Sequence, residues 1–366
     1  MACPILDLPS ELLAKVALHT SHTTETHPST VKSCMLTCKT FAEHFRPRLF
    51  RRAAIELERS GPIERLLAIL SANPGYGKYV KNLVIATSSL STVHCPALPD
   101  LLLHLTEVSD LAMDSISFLS LPEPLAQSIS SLCTRSPLST LRIFACKDFP
   151  LDSALNPRAQ MITIYEPSFC HSENEGEPVD AGTRQGSNLR VLRVTVPSKD
   201  VFPCPRRLLT FAANSLEVMQ VNALEMRPFS LDLEGLVCLR HLLFSLSGVW
   251  RIDDALHLVT SLARSLPSVE QSLETISISF DILDPSVFMH LVDAAAEWGD
   301  LGGALQDRTR LPRLREVQVE FGVRNLFAAG PLPEEDTCKR KAEEMARLAF
   351  KDVEAKIRVS VEIGNS

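Results

Sequence analysis

The stretch LRVLRV (residues 189–194) decides the fold, because its pattern recurs along most of the chain. Leu189, Leu192 and Val194 follow the spacing apolar-x-x-apolar-x-apolar. The second half of this unit alternates as a β-strand with one buried face does. The other stretches that share the spacing are VKNLVI (80–85), VSDLAM (108–113), LSTLRI (138–143), LEVMQV (216–221), LRHLLF (239–244), LETISI (273–278), LREVQV (314–319) and a degenerate copy, MITIY (161–165).

Segments with helical spacing lie between these strands, for example DDALHLVTSLARSLP (253–267) and DPSVFMHLVDAAAEWGDL (284–301). Strands that alternate with helices at intervals of roughly 20–40 residues are typical of a repeat solenoid. The unit resembles an irregular leucine-rich repeat that lacks the consensus Asn of its turn. The resemblance implies an α/β solenoid with parallel strands on the concave face and helices on the convex face.

Three segments organise the chain, with boundaries at residues 57 and 332. Residues 58–332 carry the repeats, and the polar, acidic segment 167–187 within them is expected to be a mobile loop. Residues 333–366 are expected to form a capping helix and strand, with Met345, Leu348, Ala349 and Val353 on one helix face.

Residues 1–57 predict three short helices. The first begins near Pro9, the second follows Ser29 and Thr30, and the third covers HFRPRLFRRAAIEL (44–57). A segment this small cannot bury its apolar stripes alone, so it needs something to pack against. This reasoning leaves two alternatives: the apolar stripes pack on the first repeat of the same chain, or they pack on another protein.

The same residues resemble an F-box, from the Leu8-Pro9 start to the closing Arg46-Pro47-Arg48-Leu49-Phe50 run. An F-box followed by weak leucine-rich repeats is similar to the large group of fungal F-box proteins. The linker HTSHTTETHPST (19–30) departs from the short acidic-plus-leucine loop that is common in F-boxes.

The resemblance implies a non-catalytic substrate-recognition subunit of a Skp–cullin–F-box E3 ubiquitin ligase. The F-box would bind the Skp-type adaptor and through it a cullin–RING ligase, while the repeats would hold a target protein that the sequence does not identify. The residues that would contact the adaptor are Leu8, Pro9, Leu12, Leu13, Val16, Val31, Leu36, Cys38, Phe41, Leu49 and Phe50.

The strand pattern also predicts which side chains face a target. Residues that alternate with the core positions point away from the core. The predicted substrate-binding residues are Asn82, Asp110, Arg142, Arg193, Gln220, His241, Thr275, Ser277, Glu316 and Gln318. The alternative is that they form an inert, solvated sheet surface.

Composition argues against several other classes of protein. The 366 residues carry a net charge of -7, which gives no broad basic footprint for nucleic acid. No apolar run approaches the ~20 residues of a membrane span. The ten cysteines form no CxxC pair and no Asn-x-Ser/Thr site occurs, which indicates reduced cysteines in the cytoplasm or nucleus.

No motif for catalysis, cofactors or metals emerges. The chain has no GxSxG, HExxH or dinucleotide fingerprint, and His19, His22 and His27 lack the spacing and companion ligands of a zinc site. We therefore expect no enzyme, no cofactor and no metal. The remaining alternatives are a leucine-rich-repeat scaffold that acts outside a ubiquitin ligase and, less favoured, an enzyme without a recognisable motif.

Overall fold

The structure, a computed structural model, describes residues 39–88, 95–135, 137–165, 187–196, 206–223, 233, 235–249, 251–266, 272–324 and 334–364. Two compact units divide the chain, Met1–Ser139 and Thr140–Ser366. Most of the predicted adaptor-binding residues (Leu8, Pro9, Leu12, Leu13, Val16, Val31, Leu36 and Cys38), the linker 19–30 and nearly all of the predicted loop 167–187 lie outside the described residues.

The first unit alternates strands and helices. Its elements are α1 (Lys39–Leu49), β1 (Arg52–Glu56), α2 (Ser60–Ala72), a 3₁₀ helix (Pro74–Tyr79), β2 (Asn82–Ala86), α3 (Leu98–His104), β3 (Asp110–Asp114), a second 3₁₀ helix (Phe118–Ser120) and α4 (Glu123–Arg135). The three strands are parallel and follow chain order, with Ile55, Ile85 and Met113 side by side. All three side chains are buried, so the core lies under the strands.

The second unit continues the same alternation with eight strands among its described residues. Its elements are β4 (Thr140–Phe144), α5 (Leu151–Ala154), β5 (Met161–Tyr165), β6 (Val191–Val196), α6 (Arg206–Ala212), β7 (Val218–Ala223), β8 (His241–Val249), α7 (Ile252–Ser265), β9 (Thr275–Ile282), α8 (Pro285–Asp293), α9 (Ala295–Gln306), β10 (Glu316–Arg324), α10 (Glu335–Ala349) and β11 (Lys356–Gly364). Each strand pairs in parallel with the next one along the chain.

The repeat pattern of the sequence is confirmed as the buried face of these strands. The register aligns one apolar residue per strand into a continuous buried row from β4 to β10: Ile143, Ile164, Val194, Val221, Phe244, Ile278 and Val319. Each of these side chains is at most 1% exposed. Parallel strands in chain order joined through helices are compatible with a solenoid-like α/β fold in each unit.

Helices cover the buried face. On α7, Ala255, Leu258, Val259 and Leu262 form a buried stripe at three-and-four spacing. The helix packs on β8 and on α9, and α9 in turn packs on α10.

Strand β1 corrects the sequence analysis, which placed residues 44–57 in a third helix. Helix α1 ends at Leu49, two residues after Pro47, which cannot donate a backbone hydrogen bond. Residues 52–56 instead pair in register with β2, and the Arg51 carbonyl accepts from the N–H groups of Lys81 and Asn82. The sheet of the first unit therefore begins before residue 58.

The C-terminal helix is also corrected in one detail. Its buried residues are Cys338, Ala342, Met345 and Ala346, which lie on one stripe. Leu348 falls off this stripe and is 56% exposed, while Ala349 and Val353 are half-buried. The sequence analysis placed Leu348 and Val353 on the face of Met345, whereas Leu348 lies beside the buried stripe and α10 ends at Ala349, before Val353.

Candidate functional site

The face of the sheet opposite the buried row carries parallel rows of accessible side chains. In the second unit, a first row and a second row run across the strands, one residue per strand. The first row is Thr140, Met161, Val191, Val218, His241, Thr275, Glu316 and Lys356, and the second row is Arg142, Thr163, Arg193, Gln220, Leu243, Ser277, Gln318 and Arg358. All sixteen side chains are half-buried or exposed.

Eight of the ten predicted substrate-binding residues fall on these rows. His241, Thr275 and Glu316 are consecutive members of the first row. The second row contains Arg142, Arg193, Gln220, Ser277 and Gln318, with Thr163 between the two arginines. Asn82 and Asp110 are register partners in the first unit and are half-buried. The placement follows the expected alternation, and target binding by these residues stays a prediction.

Side chains of the first row contact side chains on the neighbouring strands. His241 Nδ1 lies 2.6 Å from Thr275 Oγ1. The carboxylate of Glu316 forms an ion pair with Nε of Arg358, a second-row residue on the next strand, at 2.5 Å. These two contacts link β8 to β9 and β10 to β11 through their side chains.

A third row, which the sequence analysis missed, continues the face towards the carboxyl ends of the strands. Its members are Phe144, Tyr165, Thr195, Asn222, Ser245, Ser279, Glu320 and Ser360. The rings of Phe144 and Tyr165 are 6.3 Å apart, and Asn222 Nδ2 donates to Thr195 Oγ1 at 3.4 Å. Extending the alternation by one residue beyond each six-residue unit would have identified most of this row.

The charges of the face differ along the sheet. Arg142 and Arg193 are exposed on β4 and β6, whereas β10 and β11 carry exposed groups of both signs, Glu320, Arg324, Lys356, Arg358 and Glu362. A depression of about 460 Å³ lies at the carboxyl ends of β9 to β11. It is lined by Ser279, Asp281, Glu320, Gly322, Ser360 and Glu362, among other residues. Arg324 Nε lies 3.2 Å from the carboxylate of Asp281 and so offsets part of its charge.

Near the N-terminus, three predicted adaptor-binding residues are within the described range. Phe41 lies in α1, and Leu49 and Phe50 at the end of that helix are half-buried. The Phe50 ring lies 5.4 Å from that of Tyr76, and the guanidinium of Arg46 lies 4.9 Å from the Tyr76 ring centre. Part of this apolar and basic surface therefore packs on its own unit.

The arginines around these residues differ in environment. Burial, with a smaller effect of the neighbouring Arg51 charge, lowers the pKa of Arg48. Arg51 and Arg52 are exposed. The exposed positive charge of this segment thus includes Arg51 and Arg52 at the start of β1.

None of the described cysteines takes part in a disulfide, and most of them are buried. Burial raises the pKa of the Cys133 thiol to about 12, and it also raises the pKa of Cys95 and Cys338. A thiol with such a pKa stays protonated at neutral pH and is a poor nucleophile. These cysteines therefore act as core residues, as the sequence analysis expected.

In the described ranges, no three His, Cys, Asp or Glu side chains come together in a way that could hold a metal ion. None of the described helices combines the length and apolar character that a membrane span requires.

No protein-family model matches the chain. No curated protein matches it significantly either.

Proposed function

We propose that the chain is a non-catalytic substrate-recognition subunit of a Skp–cullin–F-box E3 ubiquitin ligase. The observation that supports the proposal is the set of three side-chain rows on the exposed face of β4 to β11. An extended surface of this kind suits recognition of another protein better than it suits a small substrate.

The two ends of the chain have different roles in this proposal. The F-box-like residues 1–57 bind the Skp-type adaptor, and the leucine-rich-repeat-like strands hold the target protein. Exposed Arg51 and Arg52 would favour an acidic adaptor by steering its approach. The chain itself carries no catalytic step, because ubiquitin transfer belongs to other subunits of the ligase.

One contact favours a second candidate, a repeat scaffold that acts outside a ligase. Phe50, a predicted adaptor contact, packs against Tyr76 of its own unit. If the N-terminal helices pack on the first unit in the same way, their apolar surface is used within the chain.

Affinity purification distinguishes the two candidates. The full chain is expected to co-purify with a Skp-type adaptor and a cullin, and the Leu8→Ala/Pro9→Ala variant is expected to lose both. Capture of the adaptor without a cullin, or of neither protein, would favour the scaffold. Unchanged capture by the variant would refute the assigned adaptor contacts.

Target binding is tested separately, by enrichment with the proteasome blocked. Arg142→Glu/Arg193→Glu is expected to abolish capture of the target while adaptor binding persists, because the charge of the second row is reversed. The matched control is Arg158→Glu/Arg313→Glu, which reverses two exposed arginines outside the rows. Equal loss in both variants, or loss in neither, would contradict target binding by the second row.

A further inference from the structure

Strand β11 ends the strand order of the second unit and pairs over nine residues with β10. The N–H of Lys356 donates to the Arg315 carbonyl, which turns the backbone of this residue towards β10. Backbone groups alternate in direction along a strand. The N–H and C=O groups of Ile357, Val359, Val361 and Ile363 therefore point to the outer edge.

The apolar side chains of β11 are less buried than those of its neighbour. Val317, Val319 and Val323 on β10 are 0% exposed. Their register partners Ile357, Val359 and Ile363 are each half-buried. A groove of about 750 Å³ runs beside β11, and its apolar lining is Ala346, Phe350, Ile357 and Val359. One more strand paired with this edge would bury Ile357, Val359 and Ile363, as their register partners on β10 are already buried.

Charged side chains occupy the other face of β11. Lys356 and Glu362 stand near opposite ends of the strand, and both are exposed. Between them, Arg358 pairs with Glu316 and Ser360 is neutral. The exposed charge of the strand is therefore positive at its start and negative near its end.

We propose that β11 pairs with β11 of a second copy of this chain, antiparallel and about a two-fold axis at Val359. This register sets Ile357 opposite Val361 of the second copy, and Lys356 opposite Glu362 of the second copy. The apolar residues present their backbone groups outward, so they form the hydrogen-bonded pairs of the new ladder. Two Lys–Glu pairs flank the axis, which makes the edge complementary to itself.

The register follows from both faces of the strand. A shift by one residue would set outward backbone groups against inward ones and apolar side chains against charged ones. The parallel alternative would place Lys356 beside Lys356 of the second copy, and like charges at paired positions destabilise a sheet. Antiparallel pairing is therefore the arrangement that the charges select.

The interface is small, since it consists of one strand pair and the groove beside it. Interfaces below about 1,200 Å² generally support weak association. We accordingly expect a dimer that forms at micromolar concentrations and dissociates on dilution. The inference does not depend on the proposed ligase function.

Sedimentation equilibrium of the full chain over a range of concentrations tests the inference. Lys356→Glu should weaken dimerisation by about tenfold, because it sets like charges opposite each other. The double variant Lys356→Glu/Glu362→Lys should restore the affinity of the unaltered chain. Lys147→Glu, an exposed charge reversal away from β11, is the matched control and should change nothing.

A backbone variant tests the ladder itself. Val359→Pro removes an outward N–H and leaves the bonds to β10 in place, and proline is tolerated on edge strands. It should abolish the dimer while circular dichroism stays that of the unaltered chain, and the charge-swap series decides the outcome if this variant fails to fold. A chain that stays monomeric at all concentrations, or a dimer insensitive to the charge reversals, would overturn the inference, as would a monomer whose β11 edge binds another protein instead.

Discussion

Two regions of the second unit differ in strand length and in the side chains that fill the core under the strands. In the short-strand region, β4 to β7, the strands have five or six residues and the buried row is aliphatic, as in Ile143 and Ile164. In the long-strand region, β8 to β11, the strands have eight or nine residues. Longer strands add buried positions, and the space under them is filled by aromatic side chains.

The aromatic cluster of the long-strand region joins four elements. Phe280 on β9 stacks on Phe321 of β10 at 5.5 Å, and Phe288 of α8 meets Phe321 edge-on at 5.4 Å. Trp298 of α9 contacts the rings of Phe280 and Phe350 at 6.2 Å each. Such pairs add to the energy of burial, so the long-strand region should be the more stable part of the unit. The predictions below test this difference, from the largest effect to the smallest.

Trp298→Ala should cost about 4 kcal/mol of unfolding free energy, the greatest loss among these variants. The substitution empties the centre of the cluster and leaves the Leu291 carbonyl without the indole N–H, which donates to it at 2.8 Å. Urea denaturation followed by circular dichroism measures the change. A loss below about 1 kcal/mol would mean that the cluster does not stabilise the region.

Gly302→Ala should cost about 2 kcal/mol, through overpacking. A Cβ at Gly302 would lie 1.9 Å from the Ala349 carbonyl oxygen, so α9 and α10 would have to separate. The matched control is Gly303→Ala, where a Cβ would have no neighbour within 4 Å. That variant should be neutral or slightly stabilising in the same urea experiment, since alanine favours a helix. Equal effects of the two substitutions would contradict the close approach of the helices.

The strands were predicted well from the sequence, and the helix packing was not. The spacing apolar-x-x-apolar-x-apolar locates β2 to β4 and β6 to β10 because it records burial of alternate residues directly. Strand β1 was missed, since RAAIE contains a single buried side chain, Ile55. The motif also stops after six residues, so it gives no signal for the extra length of β8 to β10.

The aromatic cluster depends on contacts that no local pattern records. DPSVFMHLVDAAAEWGDL was interpreted as one helical segment, but it forms α8 and α9 with a break at Ala294. The break turns Trp298 towards Phe321, which is distant in sequence. The candidate site shows the same limit, because alternation places Arg193 and Glu316 on the exposed face, whereas the pairing of Glu316 with Arg358 depends on strand register.

Ile164→Val should cost about 1 kcal/mol in the short-strand region, and Ile278→Val should cost the same in the long-strand region. Both side chains are 0% exposed members of one buried row, and each loses one methylene. Equal losses in urea denaturation would show that the regions differ by their aromatic cluster alone. A clearly smaller loss at Ile164 would mean that the short strands are also more loosely packed.

Ala145→Gly should stabilise the short-strand region by about 0.5 kcal/mol. Ala145 follows β4 with a φ of 46°, in the left-handed region that disfavours residues with a Cβ. In the long-strand region the comparable positive φ, 71°, falls on Gly248, where β8 shifts register against β9. Gly248→Ala is therefore expected to destabilise, by about 1 kcal/mol. Opposite signs of the change in unfolding free energy for the two substitutions, in thermal or urea denaturation, would show that glycine is the more stable residue at both positions. The long-strand region already has glycine there, whereas the short-strand region has alanine. Loss of stability in Ala145→Gly would instead mean that the flexibility gained by the unfolded chain outweighs the strain relieved at the turn after β4.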